Sequence, residues 1–125
     1  MNDQMQALAR RAVACKHWRW MPGMVGWSSL SDDPYVRNLG ECLWWDVQAE
    51  EVLIDEPDDL LPDLTDPATL GCLLALVREA WGERTIGIEW EDGEAAGWLI
   101  TGIEHNEISG DTEAEALVAA LEAAS

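Results

Sequence analysis

Between Ile86 and Ile100 apolar residues fall on every second position on both sides of a turn. Ile86, Ile88 and Trp90 alternate on the way out, and Ala96, Trp98 and Ile100 alternate on the way back. A period of two is the mark of a half-buried strand, and two such runs about an Asp-Gly turn predict a hairpin. The turn admits two registers. A two-residue loop would set Trp90 opposite Ala95 and send the two apolar rows to opposite faces. A three-residue loop, Asp92-Gly93-Glu94, sets Trp90 opposite Ala96, Ile88 opposite Trp98 and Ile86 opposite Ile100. A slip of one residue inverts every side chain, so the pattern selects the longer loop. Any fold for this chain must therefore contain an antiparallel sheet with one apolar face.

The remaining patterning supplies a second hairpin and three helices. Leu43, Trp45 and Val47 alternate on one face and Val52 and Ile54 on the returning strand. A connection over Gln48–Glu51 pairs Val47 with Val52 and Trp45 with Ile54, and turns Cys42 and Trp44 to the other face. The spacing of Met5, Leu8, Ala12 and Cys15 (or Val13) predicts a helix from about Asp3 to His17, capped by Asn2 or Asp3. The strongest helix runs from Pro67 to Trp81. Asp66 stands at its N-cap, Pro67 at the first helical position and Gly82 just past its end. Leu70, Leu73, Leu74, Val77 and Trp81 form its apolar stripe. The last helix spans about Glu113 to Ala124, with Thr112 and Glu115 as a capping box and Leu117, Leu121 and Ala124 facing inward. A short strand at Met24–Ser28 fits between the first helix and the polar stretch Ser31–Gly40. The expected architecture is α+β: one domain over residues 1–125, with an antiparallel sheet of four to five strands, including the two hairpins, packed against three helices.

Charge is the feature that departs furthest from the average. The chain has 125 residues, with 25 Asp and Glu against 7 Lys and Arg, a formal net charge of −18. Residues 1–30 are net basic through Arg10, Arg11, Lys16 and Arg19, whereas the segments 31–66 and 67–125 are strongly acidic. Hydrophobic residues at 48% exclude a disordered acidic tail, which lacks the apolar surface needed to offset ordering entropy. The scarcity of Lys and Arg argues against direct contact with nucleic acid or an anionic membrane. Three Cys (15, 42 and 72) without a CxxC pair fit a reducing compartment, and neither a signal peptide nor a membrane-spanning stretch is legible.

Three runs carry a resemblance. ACKHWRWMPGM (14–24), LPDLTDPATLGCLLALVREAWG (61–82) and TEAEALVAALEAA (112–124) resemble a family of small uncharacterised proteins of tailed bacteriophages and prophages. The resemblance implies a phage gene expressed in a bacterial host cytoplasm. It implies no activity, cofactor or catalytic residue.

Chemistry-bearing residues are scattered. Cys15 and His17 stand two apart on a predicted helix and do not share a face. His105, between Glu104 and Asn106 with Glu107 nearby, reads as a solvated loop. The acidic run DEPDDLLPDLTD (55–66) lacks the sixth-position Gly and twelfth-position Glu of a calcium-binding EF-hand loop. No nucleophile elbow or phosphate-binding glycine loop is present. No catalytic residue, metal ligand or cofactor is therefore expected, and no reaction class can be named. Trp45, Trp90 and Trp98 fall on apolar strand faces and read as core. Trp44 lies off that face, and two readings stand: an exposed interface anchor, or a ring covered by a helix or loop.

The expected function is accordingly binding. An acidic shell keeps a small protein soluble, and it can also imitate the phosphate array of nucleic acid and occupy the groove of a basic host or phage protein, such as a defence protein. The expected partner surface is Trp44, Glu50, Glu51, Asp55, Glu56, Asp58, Asp59 and Asp63. Two alternatives belong to other classes: a virion or packaging component in which the basic first helix of one copy meets the acidic body of the next, and a small enzyme of unidentified reaction. The oligomeric state is left open.

Overall fold

The computed structural model describes residues 3–28, 35–40, 43–46, 50–53, 60–93, 96–103 and 107–124. The elements in chain order are α1 (Asp3–Ala14), β1 (Val25–Ser28), β2 (Tyr35–Gly40), β3 (Leu43–Asp46), β4 (Glu51–Leu53), β5 (Leu60–Pro62), α2 (Pro67–Trp81), β6 (Gly87–Glu91), β7 (Gly97–Thr101), β8 (Ser109–Gly110) and α3 (Glu113–Ala123). The class is α+β, with three helices and antiparallel sheets. The two hairpins, however, enter different sheets. β3 and β4 belong to a five-stranded sheet of order β4-β3-β2-β1-β5, and β6 and β7 belong to a three-stranded sheet of order β6-β7-β8.

Both hairpins pair two residues away from the expected register. Trp90 stands opposite Trp98 and Ile88 opposite Ile100, so residues 92–96 form the connection. In the other hairpin Trp45 stands opposite Val52, not Ile54. Hydrophobic alternation fixes a register only to within two residues, because a two-residue slip leaves every side chain on its face. Tertiary contacts decide the rest. The Trp90 and Trp98 rings meet edge to face at 5.6 Å. A Cβ on Gly97 would lie 3.1 Å from the Gly110 carbonyl oxygen, so close approach of β7 to β8 relies on that Gly.

The helices follow their sequence signals closely. Asp66 caps α2, its carboxylate accepting the Thr69 N–H at 2.9 Å, and Gly82 ends the helix in the left-handed conformation at φ 64°. Thr112 caps α3 by accepting the Glu115 N–H at 3.1 Å, while the Glu115 carboxylate reaches the Asp111 N–H at 3.2 Å, one residue before the donor of a closed capping box. α1 stops at Ala14, three residues early, where the Cys15 N–H tightens onto the Ala12 carbonyl and the chain turns to carry Trp18 and Trp20 over the sheet. No helix among the described residues is long and apolar enough to cross a membrane.

One core gathers Leu8 and Ala12 of α1, Leu61 of β5, Leu73, Leu76 and Val77 of α2, Ile86 and Ile100 at the three-stranded sheet, and Leu117, Val118 and Leu121 of α3. A smaller cluster of Val36, Trp44 and Leu60 fills the other face of the five-stranded sheet, roofed by Trp20. A buried polar link joins α2 to β1. The Thr69 hydroxyl donates to Asp66 at 2.9 Å and accepts the Val25 N–H at 2.8 Å.

Candidate partner-binding surface

The expected site residues separate in the structure. Trp44 is 2% exposed and is part of the interior, which corrects the reading of it as an exposed anchor. Its ring meets Trp20 edge to face at 5.1 Å, and Trp20 meets Trp18 at 5.4 Å. In β3 the rows are inverted relative to expectation: Trp44 and Asp46 are buried, while Leu43 is 37% exposed. The run Leu43-Trp44-Trp45-Asp46 has apolar residues on both faces, so the choice falls to what packs above it. That roof is Trp20, far away in sequence. The Trp44 indole N–H, like that of Trp18, is buried with no hydrogen-bond partner among the described residues.

Glu50 is exposed at the β3–β4 turn in a left-handed conformation, φ 54°, with its N–H donated to the Asp46 carbonyl at 2.9 Å. Glu51 opens β4 opposite Asp46. Asp63 is half-buried and engaged locally: its carboxylate accepts both the Thr65 N–H (3.0 Å) and hydroxyl (2.6 Å). Asp55, Glu56, Asp58 and Asp59 lie outside the described residues, as do Cys42 and His105.

A different acidic surface is fully displayed. The register of β6 and β7 puts Glu89, Glu91, Leu99 and Thr101 on the face of the three-stranded sheet opposite Ile88, Trp90, Trp98 and Ile100. Glu89 and Glu91 are exposed. A groove of about 680 Å³ runs over β7 and β8, and its lining includes Glu91, Leu99, Thr101, Glu107, Ser109 and Asp111, with no Lys, Arg or His among the described lining residues. On the opposite face of β6, Trp90 is 49% exposed and held in place by its indole N–H, which donates to Asp92 at 2.6 Å. The signal for this surface was present in the sequence: residues from Thr85 to the end contain ten acids and neither Lys nor Arg. It is spread thinly and broken by apolar residues, so it reads as sheet patterning and not as a charge run.

The basic residues are partly spent inside the molecule. Arg11 of α1 donates to both carboxylate oxygens of Glu122, at 2.5 and 3.2 Å, tying α1 to the end of α3. Arg19 pairs with Glu79 of α2 at 2.5 Å, and this hydrogen bond holds the exposed Glu79 carboxyl below its ordinary value. Burial pushes the Cys15 and Cys72 thiols up, which disfavours the reactive thiolate. Among the described residues no three His, Cys, Asp or Glu side chains converge as a metal would need.

Comparison with known proteins finds no matching family model, no similar curated protein and no similar solved structure.

Proposed function

We propose that this chain is an acidic accessory protein of a bacteriophage or prophage. It acts in the host cytoplasm without catalysis, by binding a basic protein in place of nucleic acid. The observation that carries the binding reading is the outer face of the three-stranded sheet. There Glu89, Glu91, Glu107 and Asp111 lie on or beside one groove with no cation among its described lining residues. Residues two apart on a strand are about 6.8 Å apart, roughly twice the 3.4 Å rise per phosphate along one strand of B-DNA, so Glu89 and Glu91 repeat at a spacing commensurate with phosphates. The phage part of the reading rests on the resemblance of the three runs. Head-to-tail assembly of copies is a weaker reading, because Arg11 and Arg19 already have carboxylate partners in their own chain, which leaves Arg10 and Lys16 as the exposed cations of the first segment.

The test is capture from bacterial lysate on immobilised protein at about 50 mM salt, where unscreened charge dominates, followed by challenge with duplex DNA. The expected result is one or a few nucleic-acid-binding proteins released by the duplex and by salt. Capture that is indifferent to the duplex would reject mimicry, and no capture at low salt would reject binding by the acidic surface.

A further inference from the structure

We propose that β6 is a docking edge that adds one extended strand of a basic partner. Lys or Arg side chains of that strand would stand opposite Glu89 and Glu91, and an apolar residue opposite Trp90. The inference rests on the acidic-binding reading above and gives it a place and a partner chemistry.

The backbone carries the argument. β6 is the edge strand of its sheet. The Ile100 N–H donates to the Ile108 carbonyl at 2.9 Å, so the polar groups of Ile100, and of Trp98 two residues earlier, point towards β8. Those of Gly97, Leu99 and Thr101 then point towards β6 and meet Glu91, Glu89 and Gly87. The outward set on β6 is therefore Ile86, Ile88 and Trp90. α2 closes the first of these, Arg78 Nε donating to the Ile86 carbonyl at 2.7 Å. At Ile88 and Trp90 two N–H and two C=O groups have no partner among the described residues. They form an open template for strand addition.

The side chains choose the occupant. Glu89 and Glu91 flank the outward position at Trp90 and lie on the solvent face. Trp90, braced by Trp98 and Asp92, offers a half-exposed ring at little cost in side-chain entropy. A second copy is disfavoured. Antiparallel pairing of two β6 strands centred on Glu89 sets that carboxylate against its own copy, and pairing centred on Trp90 sets Glu89 against Glu91 twice. Like charges directly opposite are destabilising, and each copy carries a net charge of −18. A strand alternating cations with apolar residues satisfies both the backbone and the carboxylates.

The probe is an acetylated, amidated eight-residue peptide alternating Arg and Val, titrated into the 15N-labelled full chain at low salt. Hydrogen exchange at the Ile88 and Trp90 amides should slow by about tenfold or more at saturation. Methylating the Val nitrogens removes the donors that would face Ile88 and Trp90 and leaves every charge in place, and should weaken binding by about tenfold or more. The Glu89→Lys/Glu91→Lys variant should lose a similar factor. Binding of both peptides with equal affinity and no change at those two amides would overturn the edge while leaving the acidic reading intact. Failure of both peptides to bind at low salt would overturn both.

Discussion

Replacing Thr69 with Val tests how α2 is joined to the five-stranded sheet. Thr69 is 0% exposed, and its hydroxyl is shared between two partners. It donates to the Asp66 carboxylate at 2.9 Å and accepts the Val25 N–H at 2.8 Å. The chain opposite Val25 does not supply that acceptor: the Asp63 N–H donates to the Val25 carbonyl at 2.8 Å, but the Asp63 carbonyl accepts the Asp66 N–H at 3.2 Å. Val is nearly the same volume as Thr, so the substitution opens no cavity and isolates the polar terms. It leaves a buried amide N–H unsatisfied, at about 1–3 kcal/mol, and removes one hydrogen bond to a carboxylate. Asp66 keeps its bond to the Thr69 backbone N–H, so the helix cap survives. The expected loss is about 2–3 kcal/mol, which for a chain of this size lowers Tm by roughly 8–12 °C. Thr69→Ser keeps the hydroxyl and gives up one methyl, for about 1 kcal/mol. Asp66→Ala combined with Thr69→Val should cost less than the two separately, since they share a bond. Urea and thermal unfolding followed by circular dichroism provide the numbers. A Thr69→Val protein within about 0.5 kcal/mol of the parent, or a Thr69→Ser protein as unstable as the Val variant, would refute the link.

Three further outcomes follow from the packing. Gly110→Ala brings a Cβ within 2.7 Å of the Ala116 nitrogen and 2.8 Å of the Glu115 Cβ, so β8 or the first turn of α3 must shift; a loss of about 1–3 kcal/mol is expected in urea unfolding. Trp44→Phe removes a buried N–H that has no partner among the described residues, which offsets part of the lost ring volume. It should therefore be far milder than Trp44→Ala, which costs about 3–5 kcal/mol, and equal losses would contradict this. Glu79 titrates below its ordinary value because of Arg19. The stability this pair contributes is present above the ordinary carboxyl pKa of about 4.3 and is lost as pH falls through the depressed value. Carbon-detected NMR titration should find the Glu79 midpoint rising towards that ordinary value in Arg19→Ala and in high salt.

The parts of the fold legible in sequence are those governed by neighbours along the chain. Asp66, Pro67 and Gly82 mark α2 because capping and left-handed termination are local chemistry. Alternation along Ile86–Ile100 marks β6 and β7 for the same reason. β2 escapes because Tyr35–Gly40 contains a bulge between Asn38 and Gly40 and offers Val36 as its main buried apolar side chain. Its pairing with β1 and β3 is what makes it a strand. β5 is three residues in an acidic, Pro-rich connection, and it becomes a strand only against β1. The division into two sheets is likewise a matter of long-range pairing. Trp44 marks the limit most clearly, since local pattern leaves both faces of β3 apolar and the decision rests with Trp20, more than twenty residues earlier. The acidic face was legible as composition, but its assembly into one surface depends on the β6–β7 register.

The open edge of β6 and the charge of the chain account for each other. A five-residue edge strand carrying a half-exposed Trp is an aggregation hazard in an ordinary protein. Charged residues at alternate positions are the usual remedy, and Lys is the usual choice, because it blocks self-pairing while its long stem still reaches water. Here the alternate positions hold Glu89 and Glu91. Glu prevents pairing between copies as effectively as Lys, since repulsion depends on like sign and not on which sign. It differs in what it leaves open: a Lys edge would admit acidic strands, and a Glu edge admits basic ones. The same carboxylates belong to a molecule of net charge −18, whose field draws cationic partners from beyond contact range and falls off over about 8 Å at physiological salt. Steering and selection therefore act in the same direction at this edge. Of the four cations in the first thirty residues, Arg11 and Arg19 are held by Glu122 and Glu79 of the same chain, and Arg10 and Lys16 are exposed. On the proposed reading, the carboxylates of β6 would turn away a second copy and leave one strand open to a basic partner.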